Sequence, residues 1–317
     1  MLRVGVIGAG WWAEQHALAL ERRPEARIVA ACRHDPAALE AFSRRFNARP
    51  YTDPARLLDD GEVEAVLVAS PHHLHAEHAI AAARAGKHVL LEKPMAPTTR
   101  ECDAIIRACE DAGVRLLLGH TSHFAHSFLV AKELLRSGEV GEVALASSIM
   151  SKTWMEANRR EWHLKRESGG GMLLTAGIHA LERLMWLVGA DVTSVSASVG
   201  ARFHDQEADD AAMLFLRFAN GASASVTSIG YASGAPTHRT ELYGTRGHLR
   251  VDPVEGVTVG RDERWTTIPG SGREDWLPDA LAAEWRDLSA AIADGGQPAV
   301  TGAFGRQVIA VIEAAQR

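Results

Sequence analysis

Between Leu2 and His120 the chain repeats one pattern, a short apolar run followed by a helical stretch, and few folds accommodate it. Continuous apolar runs of this length, rich in Val, Ile and Leu, read as strands buried on both faces of a parallel sheet. They lie at Leu2 to Ile7, Arg27 to Cys32, Arg49 to Thr52, Glu64 to Ala69, His88 to Leu91 and Val114 to Leu118. Helical segments separate them and carry their own punctuation. Pro24 ends the first, Asp53-Pro54 opens the third as an N-cap followed by a first-turn proline, and Thr98-Thr99-Arg100-Glu101 is a capping box. Strands alternating with helices in this way predict an α/β fold, a doubly wound parallel sheet with the His88 run as its central strand.

The periodicity changes after about Gly141. A strand from Val143 to Met150 and a tryptophan-bearing loop lead to Gly169-Gly170-Gly171 and a helix from Met172 to Val188. Runs at Thr193–Val199, Ala211–Phe218, Ala222–Ile229, Arg239–Tyr243 and His248–Val251 follow, with Asn220-Gly221 and Thr245-Arg246-Gly247 as hairpin turns. This predicts an α+β domain with an open, mostly antiparallel sheet. The division falls at 1–120 and 121–317, with the C-terminal helices expected to pack back on the first domain. Ser223, Ser225 and Thr227 share a face too polar for a core, so a second subunit is expected to cover it, giving a homodimer or homotetramer.

With 46% hydrophobic residues in 317, there is material for two cores. The net charge of −6 and the lack of a basic tract argue against nucleic acid as a partner. No apolar stretch approaches the ~18 residues of a membrane span, and Met1-Leu2-Arg3-Val4 enters a strand directly, without a signal peptide. Cys32, Cys102 and Cys109 lack metal-ligand spacing and read as buried thiols, which together with the rest suits a cytoplasmic protein.

Chemistry-bearing residues gather at the ends of the expected strands, where open α/β sheets bind ligands. After the first strand, Gly8-Ala9-Gly10-Trp11-Trp12-Ala13 fits the dinucleotide fingerprint in its required strand–turn–helix context. Gly8 makes the turn, Gly10 admits a pyrophosphate, and the N-terminus of the helix offers free N–H groups. The second strand ends in Arg33-His34-Asp35. Arg33 can accommodate a 2′-phosphate and tilts the cofactor toward NADP over NAD; Asp35 either reaches a ribose or caps the next helix beside Pro36. Ser70-Pro71-His72-His73-Leu74-His75 follows the fourth strand. Glu92-Lys93-Pro94 follows the fifth, with the proline holding Lys93 at the strand tip.

These residues resemble the inositol dehydrogenase/glucose–fructose oxidoreductase family, Gfo/Idh/MocA, over nearly the whole chain. The resemblance rests on Gly8-x-Gly10 with His16, on Pro71-x-His73-Leu74-His75, on Glu92-Lys93-Pro94, and on the triple glycine leading to Gly177-Ile178-His179. It implies Lys93 as the catalytic acid/base, often beside a cis peptide, with an Asp and a His four residues apart on the glycine-rich helix. His179 matches; the Asp position is Thr175, whose hydroxyl only hydrogen-bonds, which leaves Lys93 and His179 as the relay and Thr175 to orient substrate. It further implies a nucleotide held by Gly8, Gly10, Trp11, Trp12, Arg33, His34, Ser70, Pro71, His73, His75, Glu92, Lys93 and Pro94. A small polar ring (a sugar, cyclitol or dihydrodiol) would sit against Lys93, His120, Trp162, His163, Thr175 and His179, with Trp154, Arg159 and Lys165 nearby.

His72 and His123 stand where relatives commonly have Asn and Arg, and with His120 and His126 they enrich the expected cleft in imidazole; no recognisable metal set accompanies them. The expected activity is hydride transfer between nicotinamide and a secondary alcohol or ketone. Two alternatives remain open: a glycosidase with a tightly held nucleotide, and a non-catalytic nucleotide-sensing regulator.

Overall fold

The apolar runs of the first half form one six-stranded sheet in a computed structural model that describes residues 1–157 and 159–317. The chain divides into two units, Met1–Thr121 with Leu277–Arg306, and Ser122–Trp276 with Gln307–Arg317. In the first unit β1 (Leu2–Ile7), α1 (Trp11–Arg22), β2 (Ala26–Cys32), α2 (Pro36–Phe46), β3 (Arg49–Tyr51), α3 (Pro54–Leu58), β4 (Ala65–Val68), α4 (His75–Arg84), β5 (His88–Glu92), α5 (Thr99–Asp111) and β6 (Leu116–Gly119) alternate. The strands are all parallel, in the order β3-β2-β1-β4-β5-β6. The order reverses between β1 and β4, and that reversal opens the crevice where such sheets take ligands. One expectation fails: β5 is not central but lies beside the edge strand β6. Burial on both faces looks the same one strand from an edge as in the middle, so the local pattern carries no lateral position.

Val4, Val6, Val66, Leu67, Val68, Leu90, Leu91, Leu117 and Leu118 are wholly buried, each contributing about 1.5–3 kcal/mol of transfer free energy. The caps behave as their chemistry requires. Asp35 accepts from the Ala37 and Ala38 N–H groups, Asp53 from that of Ala55, and Thr98 with Glu101 closes the capping box on α5. The three cysteines are buried free thiols; burial raises Cys32 to about 11 and Cys102 and Cys109 to about 12, so none is a ready thiolate.

The second unit opens with α6 (His126–Arg136), a helix the sequence pattern did not announce. Then come β7 (Val143–Thr153), α7 (Ile178–Val188), β8 (Val192–Gly200), β9 (Ala211–Phe218), β10 (Ser223–Tyr231), β11 (Thr237–Gly244), β12 (Gly247–Asp252), β13 (Gly256–Arg261) and β14 (Arg264–Thr267). The sheet order is β14-β13-β12-β11-β7-β10-β9-β8, antiparallel except for the parallel pair β7–β10. β13 and β14 were also unforeseen. The chain closes with α8 (Trp276–Asp294) and α9 (Gly302–Ala315).

Along β9 the residues Ala212, Leu214, Leu216 and Phe218 turn inward, while Met213 and Phe215 stand 61% and 47% exposed on the other face. Leu145 and Tyr243 are exposed as well and pair with each other across β7 and β11. Ser223, Ser225 and Thr227 are partly exposed beside them on β10, so this face mixes hydroxyls with bare apolar side chains. Among the described residues, no helix is long and apolar enough to cross a membrane.

Candidate active site

At the β1 tip Gly8 adopts φ +93, and a Cβ there would stand 2.6 Å from the backbone of Ala69 and Ser70 at the β4 tip. Only glycine lets the two tips approach so closely. A Cβ on Gly10, by contrast, would meet only the Gly8 carbonyl oxygen at 3.9 Å. Gly10 is also the N-cap of α1 and provides no side-chain cap, which suits the helix N-terminus to a pyrophosphate. Trp11 is exposed beside it and Trp12 half-buried. Arg33 at the β2 tip donates from Nη1 to the Ala9 carbonyl oxygen at 2.9 Å, which fixes a cation against the glycine turn. His34 is exposed next to it. The Asp35 carboxylate is engaged in capping α2, which leaves Arg33 and His34 as the side chains closest in sequence to the turn.

The tips of β4 and β5 are braced from within. His75 is wholly buried, with Nδ1 2.7 Å from the Pro94 carbonyl oxygen and Nε2 2.8 Å from that of Ser70. Burial pushes its ring down to about 4, against the pull of the two carbonyls and of Glu92. Expected at the cofactor, His75 instead ties the two loops together through its side chain. Ser70 is buried and its hydroxyl meets His78 Nδ1 at 2.9 Å. His72 is buried and His73 exposed.

Glu92, also expected at the cofactor, turns its carboxylate into the unit. His16 Nε2 lies 2.9 Å from Glu92 Oε1, and the Lys93 backbone N–H donates to Oε2 at 3.2 Å. Burial pushes the Glu92 carboxyl up, but His16, the Lys93 charge and the Trp12 indole N–H together hold it below the usual range, so it is an anion. Lys93 itself is half-buried at the strand tip, and the Lys93–Pro94 peptide is cis. His120, expected against substrate, is wholly buried edge-on to the Phe304 ring and is closed to a ligand as it stands.

His16, Glu92 and Glu284 offer three ligand atoms within 4.8 Å of one another. A cation does not suit them: the Trp285 indole N–H occupies His16 Nδ1 at 3.1 Å, and Nε2 carries the hydrogen shared with Glu92.

In the second unit the glycine triplet has a geometric cause. Gly171 adopts φ +99, and a Cβ there would meet Asp209 Oδ1 at 2.3 Å. Asp209 accepts the Leu173 N–H at 2.8 Å, and burial raises its carboxyl to about 6. The segment it caps is a π-helical turn, Leu173–Gly177, with Thr175 at its centre, and α7 with His179 continues from it. The sequence spacing suggested one continuous α-helix. A π turn instead shifts the phase between Thr175 and His179, and such turns are frequent at functional sites. Both side chains are half-buried.

Behind His179 lies a carboxylate the sequence reading missed. Glu182 is wholly buried, with Oε1 3.9 Å from His179 Nδ1 and Oε2 2.9 Å from His123 Nε2. The spacing of three residues from His179 was the available signal. His123 is buried and stacked on Trp186 at 4.2 Å, so it supports this pair and does not line an open cleft. Trp162 and His163 stack at 3.6 Å in a short turn and are half-buried. Trp154 is core: wholly buried, its N–H on Gln206 and the Arg159 guanidinium over its ring at 3.8 Å.

Residues 2–120 match the model of an oxidoreductase family with an NAD-binding Rossmann fold, and residues 128–250 match the GFO/IDH/MocA C-terminal domain. The chain belongs to the Gfo/Idh/MocA oxidoreductase family. A 1-carboxy-3-chloro-3,4-dihydroxycyclohexa-1,5-diene dehydrogenase of Comamonas testosteroni is 34% identical over 73% of this chain, a match spanning 58% of that enzyme. A 2,7-anhydro-N-acetylneuraminate hydratase of Mediterraneibacter gnavus is 31% identical over 85% of this chain and 73% of its own. Among solved structures, levoglucosan dehydrogenase in complex with NADH and levoglucosan superposes with a TM-score of 0.90 at 25% identity, covering 99% of this chain and 96% of that one. This Gfo/Idh/MocA chain keeps the features a dinucleotide needs: the open approach at Gly10, the α1 N-terminus and the cation at Arg33.

Proposed function

We propose that this Gfo/Idh/MocA protein is an NAD(P)-dependent dehydrogenase that interconverts a secondary alcohol and a ketone on a small polar ring, a sugar, cyclitol or dihydrodiol. The observation that carries this reading is Lys93, held at the β5 tip by a buried, anionic Glu92 beside the glycine turn. Two similar proteins support this substrate class, one named for a dihydroxycyclohexadiene and the other a levoglucosan dehydrogenase. NAD(P), when bound, supplies the hydride acceptor for oxidation and the hydride donor for reduction.

Lys93 Nζ then takes the carbinol proton as the alcohol is oxidised, and returns it to the carbonyl oxygen in the reverse direction. By the family resemblance His179, with Glu182 behind it, would assist the proton transfer, and the Thr175 hydroxyl would orient the ring. Trp162 and His163 offer an aromatic surface to that ring. Arg33 favours NADP over NAD, since a guanidinium pairs with a 2′-phosphate and Asp35 is engaged elsewhere. The mixed face of β7, β9, β10 and β11 forms the homo-oligomer interface.

The test replaces Lys93 by alanine. Turnover of polyols or ketones, followed by nicotinamide absorbance, is expected to fall by about two to four orders of magnitude. NADPH should still titrate the variant, and more tightly than NADH does. Surviving turnover would remove Lys93 from the mechanism. A second reading rests on the relative named as a hydratase, whose net reaction adds water. It predicts nucleotide retained through purification and product formed with no net change in nicotinamide absorbance.

A further inference from the structure

Lys93 is backed by a chain of buried groups that reaches to the far end of the sequence. Trp285 on α8 donates its indole N–H to His16 Nδ1 at 3.1 Å, across a separation of 269 residues. An indole nitrogen is a donor only, so Nδ1 must present its lone pair. The ring proton therefore sits on Nε2 and is donated to Glu92 Oε1 at 2.9 Å. His16 in this arrangement is neutral. It gains a charge only by breaking the Trp285 hydrogen bond, because protonating Nδ1 would set two donors against each other. Trp285, His16, Glu92 and Glu284 are all buried, so water is not at hand to take over the lost partner.

We propose that Trp285 is a positioning residue for the reaction: by locking His16 in its neutral Nε2–H form it leaves the Glu92 carboxylate as an uncompensated anion that sets the proton affinity of Lys93. This rests on the acid/base role proposed for Lys93. The groups facing the cluster come from each neighbouring element. α1 brings His16 and Trp12, β5 brings Lys93 itself, α4 brings His75, and α8 brings Glu284, whose Oε2 is 4.0 Å from His16 Nε2. β6 brings only backbone at Gly119, where a Cβ would stand 2.8 Å from Glu92 Oε1. A cationic His16 among them would pair with Glu92, weaken the negative field at Nζ and let Lys93 lose its proton at lower pH.

The experiment is the pH dependence of kcat/KM for alcohol oxidation, whose acidic limb reports the group that must shed a proton. Trp285→Phe frees His16 Nδ1 to take a proton, and the limb is expected to move to lower pH by about half a unit or more. His16→Gln keeps a donor for Glu92 and an acceptor for Trp285 but never becomes charged, so its limb should stay in place. The double variant His16→Gln/Trp285→Phe should return the limb to the wild-type position, even if stability and kcat fall. A limb unmoved in Trp285→Phe, with only kcat reduced, would reduce Trp285 to a structural role and overturn the proposal. A shift that persists in the double variant would overturn it too, since the charge would not reside on His16. Failure of the functional reading looks different: Lys93→Ala would then retain turnover whatever Trp285 does.

Discussion

Each unit buries one histidine–carboxylate pair behind a candidate catalytic residue, and the two pairs are built alike up to a point. His16 and Glu92 meet at 2.9 Å behind Lys93; His123 and Glu182 meet at 2.9 Å behind His179. They differ in what holds the histidine. Trp285 reaches His16 edge-on and hydrogen-bonds its second nitrogen, which selects a tautomer. Trp186 stacks flat on His123, which fixes the ring plane and selects no tautomer. An aromatic neighbour thus sets protonation when it offers its N–H, and only orientation when it offers its face.

The largest effects should come from breaking each pair. Glu92→Ala and Glu182→Ala each remove a carboxylate acceptor from a buried imidazole and leave a cavity, and each is expected to cost about 2–4 kcal/mol in urea unfolding. A cost for Glu182→Ala near zero would show that the second pair is no structural twin of the first.

A smaller effect is expected at Asp209, which caps the π turn leading to His179. Burial raises its carboxyl from 3.8 to about 6, so between those values the folded protein holds a proton that the unfolded chain has shed. Its contribution to stability therefore rises as pH falls through this window and is lost above it. Asp209→Asn should flatten that dependence and gain about 2 kcal/mol at pH near 8, read by unfolding at several pH values. An unchanged pH profile would place the proton elsewhere.

The smallest effect should follow Thr175→Asp, which returns the family carboxylate to the π turn. A half-exposed charge near His179 should change kcat/KM by about two- to fivefold. A loss well beyond tenfold would show that the threonine hydroxyl binds substrate directly.

The first unit was more legible than the second for a physical reason. Buried parallel strands are continuous apolar runs, and Pro24, Asp53-Pro54 and the Thr98–Glu101 box mark the helix ends between them. α6 begins at His126 after an Ala125 N-cap that offers no side-chain hydrogen bond, and β13 and β14 are short, with Gly256 and Gly260 breaking the alternation, so neither left a comparable mark. At the site, the structure gives several residues named from motifs surroundings that the motifs do not announce. His75, Glu92 and His120 look like ligand contacts in a strand-tip motif, yet all three are buried. Their partners, Pro94 and Ser70 for His75, His16 for Glu92 and Phe304 for His120, lie on other elements.

The sequence alone determined the alternating architecture, the glycine turn for a dinucleotide, the lysine at a strand tip and the hydroxyl-bearing face of β10, because each depends on residues close together in the chain. The tertiary structure alone decided the place of β5 beside an edge, the π turn under Thr175, the carboxylate behind His179 and the link from Trp285 to His16. These depend on which distant groups share a dry interior, where a donor must find an acceptor, and no local pattern records that choice.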